Sequence, residues 1–261
     1  MSRNFELLRR AAVNVSGGPT IEIRELLSLD EPQVETKQVE TKTYAPSRGM
    51  LSLDPIGQAE AHKLVQGVFR AHGGVNRMVL FTAISSGSGC SWICARTAEM
   101  LAHSVSAQVC IVDANFRAPS LPETFGTTNH YGLTDALRCE RPVREFVNQL
   151  QPQNLWLLSC GSAASGSVGL LTSERMKILM DELRKEFEYV LVDAPALNAC
   201  ADGVVLGHLS DGVVLVLEAN VTRREAALRV AERMGDMRLK VLGAVLNKRT
   251  FPIPESVYHR L

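Results

Sequence analysis

Six short, almost uninterrupted apolar runs constrain this chain more than any other feature. They lie at 78–84, 108–113, 155–159, 189–193, 212–218 and 240–246. Each is five to seven residues long and rich in Val, Ile and Leu, which marks a strand buried on both faces. Between them fall stretches with helical periodicity, near 91–105, 132–138, 172–187 and 222–236, and a further one at 55–71 precedes the series. Arg141 to Leu150 is read as helical too, and the segment through Pro119 and Pro122 as a loop. Buried strands alternating with amphipathic helices require a parallel sheet covered on both sides. Right-handed crossovers then give an α/β fold, a doubly wound, mostly parallel sheet with helices on both faces.

Such a sheet binds ligands at the carboxyl ends of its strands. The first run ends in Ser85-Ser86-Gly87-Ser88-Gly89-Cys90-Ser91-Trp92, a Gly/Ser loop leading into a helix. Small residues there let backbone N–H groups close around phosphate oxygens, and the helix N-terminus adds positive potential. This is the slot of a P-loop, so Ser86, Gly87, Ser88, Gly89, Cys90, Ser91 and Trp92 form a candidate cofactor-binding stretch. The lysine of that motif belongs at position 90, where this chain carries Cys90. Trp92 is expected to pack against the sheet rather than stack on a base. Two further runs end in Asp113 and Asp193. With the Ser91 hydroxyl, these carboxylates make a candidate Mg²⁺ site. Asn115, Arg117 and Asn247 also lie just past strand ends.

Elsewhere the sequence is less specific. Residues 3–12 have the spacing of a short amphipathic helix, and Val-Glu-Thr-Lys occurs at 34–37 and again at 39–42 in an aromatic-poor stretch. The expected organisation is a short N-terminal helix and disordered linker over 1–50, a globular domain over 51–250 and a tail over 251–261. Lys+Arg and Asp+Glu number 28 each, so charge balance gives no reason to expect nucleic acid or an anionic membrane as partner. No apolar run reaches the length of a membrane span, which predicts a cytoplasmic protein without its own transmembrane segment. The six cysteines lack paired spacing and read as reduced, mostly buried thiols. A P-loop geometry would set Cys90 at a helix N-terminus, where its pKa is expected to fall.

Four pieces of the chain resemble the cytoplasmic domain of bacterial tyrosine kinases that regulate capsule and exopolysaccharide synthesis, relatives of the MinD-type P-loop ATPases. Val-Cys-Ile-Val-Asp-Ala-Asn-Phe-Arg-Ala-Pro-Ser-Leu-Pro (109–122) is similar to the family's second acidic motif, with Asn115 in place of its second Asp. Gly-Leu-Thr-Asp-Ala-Leu (132–137) matches the following turn and helix. Thr-Ser-Glu-Arg-Met-Lys (172–177) with Tyr-Val-Leu-Val-Asp-Ala-Pro (189–195) looks like the helix and Walker B strand. Leu-Gly-Ala-Val-Leu-Asn-Lys (242–248) resembles the last strand. The resemblance implies ATP/ADP and Mg²⁺ as cofactors, Asp113 and Arg117 as catalytic residues, Ser91, Asp113 and Asp193 as metal ligands, and Asn247 at the adenine. It also implies a membrane chain-length regulator or transport protein as partner, recruitment to the inner face of the membrane, and a homo-oligomer. With Cys90 for the lysine, the expected function is a nucleotide-binding regulator of polysaccharide synthesis and export with weak or no catalysis. The alternative is an active protein-tyrosine autokinase or ATPase, helped by a lysine from elsewhere such as Lys248. In the upstream helix, Glu60, Lys63 and Gln66 stand where the family carries its assembly motif, and the last 15 residues hold only Tyr258 rather than a tyrosine-rich tail.

Overall fold

In a computed structural model, the chain is described over residues 55–69, 76–161, 167–197 and 202–249. The expected N-terminal helix, the linker and the C-terminal tail lie outside the described residues. All the described residues belong to one compact unit, Tyr44–Leu261.

The chain enters through helix α1 (Pro55–Phe69), then strand β1 (Met78–Ala83) and helix α2 (Cys90–Ser104). Strand β2 (Val109–Asp113) is followed by two short helices, α3 (Leu121–Phe125) and α4 (Leu133–Arg138), and a 3₁₀ turn at Val143–Phe146. Strands β3 (Asn148–Gln149) and β4 (Leu155–Leu158) come next, then helix α5 (Glu174–Glu186) and strand β5 (Tyr189–Asp193). Helix α6 (Asp202–His208), strand β6 (Gly212–Glu218), helix α7 (Arg224–Asp236) and strand β7 (Val241–Asn247) complete the domain.

The seven strands form one sheet in the order β3-β4-β2-β5-β1-β6-β7, and every pairing is parallel except β3 with β4. The doubly wound expectation holds, because alternate strand residues serve opposite cores. Met78, Leu80, Cys110, Val112, Val190 and Val192 pack with α4, α5 and α6 on one face. Val79, Phe81, Val109, Ile111 and Leu191 pack with α1 and α2 on the other. Every residue of β1 and β2 is buried, as continuously apolar strands require.

Two local expectations are corrected, and one element was not foreseen. Residues 141–150 are not a helix. Pro142 precedes a single 3₁₀ turn, and the chain then extends into β3, capping the sheet edge. The segment through Pro119 and Pro122 holds α3, in which Pro122 occupies the first turn, a position where its missing N–H costs nothing. Helix α6 was not expected from the sequence; at seven residues it is too short for a periodic signal.

At the sheet's amino end, Asp211 accepts from the backbone N–H groups of Arg77 at 2.7 Å and Met78 at 2.8 Å, and it pairs with Arg184 at 2.9 Å. This clamp fixes where β1 begins relative to β6.

Candidate active site

The loop between β1 and α2 is shaped by two glycines. Gly87 and Gly89 have φ of 86° and 81°, in the left-handed region that glycine enters without steric cost. Gly89 has a second constraint: a Cβ there would stand 2.3 Å from Asn247 Nδ2. That amide donates to the Ser88 carbonyl at 2.9 Å, and the buried Ser88 hydroxyl donates to the Ser85 carbonyl at 2.9 Å. The loop is therefore held by its own serine and by the last strand. Cys90 is the first residue of α2, whose N-cap is Gly89 with no side-chain cap. Beyond the Ile93 N–H, which bonds Gly89 O at 3.0 Å, the first-turn amides face the loop as donors.

Asp113 and Asp193 close the floor. They are register partners at the ends of β2 and β5, and neither exposes any surface. Asp113 accepts from Asn115 N and Leu121 N, each at 3.2 Å. Burial raises its pKa to about 7, against the pull of those N–H groups and that of Ser120. Both oxygens of Asp193 are buried without a hydrogen-bond partner. Its pKa rises to about 8, first from burial and then from the Asp113 charge. Ser91 and Cys90 stand near enough to favour the ionised form but make no bond of good geometry to it, so the orphaned oxygens persist. Burial lets these two carboxyl groups hold protons near neutral pH, and with both ionised a cation would be needed to balance their charge. The residues expected at a magnesium site, Ser91, Asp113 and Asp193, are thus brought together, and the unpartnered oxygens fit a hard divalent ion.

Above them is a cavity of about 460 Å³, lined by the loop from Ser85 to Trp92, by Asn115 and Arg117, and by Ala194 to Ala196. Arg117 is exposed at its rim. Asn115 closes its own turn, donating to Ala118 O at 3.2 Å and accepting from Ala118 N at 3.3 Å. Asn247 lies behind the loop rather than in the cavity lining, its amide engaged with Ser88. Lys248 pairs with Glu218 at 3.0 Å.

Two expectations about side chains in this site fail. Trp92 does not pack against the sheet; it is 42% exposed and lines the cavity, because its place in the first turn of α2 points away from the strands. Cys90 does not acquire a lowered pKa. The residue keeps part of its surface open, yet protein crowds its thiol; this burial, then Asp193 and Cys94, pushes its pKa well above the ordinary thiol value. The negative floor and desolvation outweigh the helix N-terminus. The described cysteines are all free thiols, three of them buried.

No family model matches the chain. The tyrosine-protein kinase YwqD of Bacillus subtilis is 30% identical over 171 residues, covering 66% of this chain and 72% of that protein. This chain belongs to the bacterial tyrosine kinase family. Among solved structures, the chimerical protein CapA2B2 matches this family member with a TM-score of 0.70 at 23% identity, over 76% of this chain and 87% of that one. The septum site-determining protein MinD of Pyrococcus horikoshii, solved with Mg-ADP, matches with a TM-score of 0.56 at 17% identity, over 70% and 76% of the two chains. The tyrosine kinase family member described here therefore has the P-loop ATPase-like fold. Among its described residues, no helix is long and apolar enough to cross a membrane.

Proposed function

We propose that the chain binds ADP or ATP with Mg²⁺ and acts as a regulator of capsule or exopolysaccharide synthesis and export, with phosphoryl transfer weak or lost. The observation that carries this reading is the pair Asp113 and Asp193, fully buried side by side beneath a Gly/Ser loop in which the lysine position of the P-loop motif is a thiol. These residues support the cation-holding half of a nucleotide site, while position 90 offers no lysine to neutralise a transferred phosphate.

In this reading Gly87 to Ser91 offer backbone N–H groups to phosphate oxygens, and Ser91, Asp113 and Asp193 hold the metal. Mg²⁺ held there would supply positive charge to the phosphates, and Asp113 and Asp193, whose pKa values burial raises to about 7 and about 8, would give up their protons to ligate it. Phosphoryl transfer rests on positioning and charge stabilisation, and removing one such donor costs about 2.7–4 kcal/mol, a hundred- to thousandfold in rate. Lys248, the residue expected to stand in for that lysine, is paired with Glu218 at 3.0 Å. One observation supports the second reading, an active tyrosine autokinase: Arg117 lines the cavity as an exposed cation. The proposed partner is a membrane chain-length regulator or transport protein of the polysaccharide machinery, with recruitment to the inner membrane face and self-assembly as accompanying proposals.

ATP turnover by the wild type and by Cys90→Lys tests this. The wild type is expected to turn over slowly or not at all and the variant at least tenfold faster. Equal, substantial rates would establish the autokinase reading instead.

A further inference from the structure

Arg117 lines the cavity, is exposed, and among the described residues makes no hydrogen bond or ion pair. Its charge is therefore open to an anion held there. A long, exposed side chain serves such a ligand well only when the backbone that carries it is already fixed. That backbone is the segment from Asp113 to Leu121, which is braced at its base and at its tip.

The base is closed by Asp113, whose carboxyl group accepts from Asn115 N and Leu121 N at 3.2 Å each. Ala114 N donates to Asp193 O at 2.9 Å, and Phe116 packs against the core on one face of the sheet. The tip is a tight turn, Asn115-Phe116-Arg117-Ala118, with Arg117 inside it. Asn115 closes this turn with three bonds. Its backbone carbonyl accepts from Ala118 N at 3.2 Å, its side-chain oxygen accepts from the same N–H at 3.3 Å, and its side-chain amide donates to Ala118 O at 3.2 Å. Pro119 follows and narrows the conformations open to Ala118.

The third bond separates asparagine from aspartate. An ionised carboxylate only accepts, so Asp at position 115 could keep the bond from Ala118 N and not the one to Ala118 O, against which it would set a negative oxygen. This is the position at which the motif resembled by residues 109–122 has its second Asp.

We infer that Asn115 is a positioning residue for Arg117: its amide locks the turn that holds Arg117 at the cavity, and so fixes a cation for the phosphates of a bound nucleotide. The inference rests on the nucleotide reading above and gives position 115 a part in it that the acid could not play.

The full chain is compared with Asn115→Asp, Asn115→Ala, Arg117→Ala and the double variant Asn115→Ala/Arg117→Ala, each first shown by a thermal melt to be folded. Without ligand, trypsin should cut after Arg117 several-fold faster in Asn115→Asp and Asn115→Ala than in the wild type, because the turn no longer closes. In titrations with Mg–ADP, Asn115→Ala is expected to bind about two- to tenfold more weakly, the range of one hydrogen bond. Asn115→Asp should bind more weakly still, although it restores the acid. The double variant should bind no more weakly than Arg117→Ala alone, since a residue that acts through Arg117 then has nothing left to orient; an independent structural contribution would add. Equal trypsin cleavage of the wild type and both Asn115 variants, an affinity of Asn115→Asp equal to or above that of the wild type, or additive losses in the double variant would each overturn the inference. No heat from the wild type would overturn the nucleotide reading, and the phosphate role with it, while the trypsin comparison still decides whether Asn115 fixes the turn.

Discussion

Replacing Asp193 with Asn is expected to stabilise the nucleotide-free protein while removing its affinity for magnesium nucleotide. Asp193 is completely buried, both its oxygens lack partners, and burial followed by the charge of Asp113 raises its pKa to about 8. A carboxylate raised in this way is protonated in the native state where the unfolded chain has already ionised. Stability is therefore greatest below about pH 4, the unfolded value, and falls as pH rises towards about 8. One pKa unit corresponds to about 1.4 kcal/mol, so at pH 7 keeping Asp193 protonated in the folded state costs at most about 4 kcal/mol. Local relaxation and water entry bring this to about 2 kcal/mol. In a domain of roughly 200 residues that corresponds to about 4–8 °C in Tm. Scanning calorimetry without divalent ions should show the variant melting higher than the wild type at pH 8 and at a similar temperature at pH 4.5. Added Mg²⁺ should close the gap at pH 8 by raising the wild type alone. A variant less stable than the wild type at pH 8, or one with the same pH dependence, would refute the claim that an uncompensated carboxylate sits beneath the loop.

Three other perturbations probe the scaffold. Gly89→Ala places a Cβ on Asn247 at a φ of 81°, and a loss of about 1–3 kcal/mol in chemical denaturation is expected, with weakened Mg–ADP binding; unchanged stability would mean that the loop is not fixed as described. Burial alone would raise the pKa of Asp211, but the Met78 and Arg77 amides and Arg184 pull it below the ordinary value, so its contribution is present above the unfolded pKa and lost as pH falls through the folded one. Asp211→Asn should accordingly cost about 1–2 kcal/mol at pH 7 and progressively less in acid, measured by urea melts. Cys90 should be alkylated more slowly than an ordinary thiol at pH 8, because burial, Asp193 and Cys94 raise its pKa; fast modification would contradict that environment.

The parallel sheet was legible because a strand buried on both faces has little choice but a run of Val, Ile and Leu. Residues 189–193 and 212–218 show this without ambiguity. Strand-end carboxylates were legible for the same reason: Asp113 and Asp193 interrupt such runs at the edge where ligands bind. What the sequence conceals is proximity between distant segments. Nothing near position 89 announces Asn247, 158 residues further on, whose amide both fixes the loop and excludes a side chain from Gly89. The thiol of Cys90 illustrates the same gap, since its local setting at a helix start points to a lowered pKa, whereas Asp193 and dense packing impose the opposite. Residues 141–150 misled because Val143, Phe146 and Leu150 have helical spacing, yet two of them anchor a single turn, not a continuing helix.

The most direct test of the central claim is isothermal titration of Mg–ADP into the wild-type chain, alongside Cys90→Lys and a run without divalent ion. A saturable, magnesium-dependent heat is expected for the wild type, with tighter binding for the lysine variant. No heat from the wild type at any magnesium concentration would contradict it.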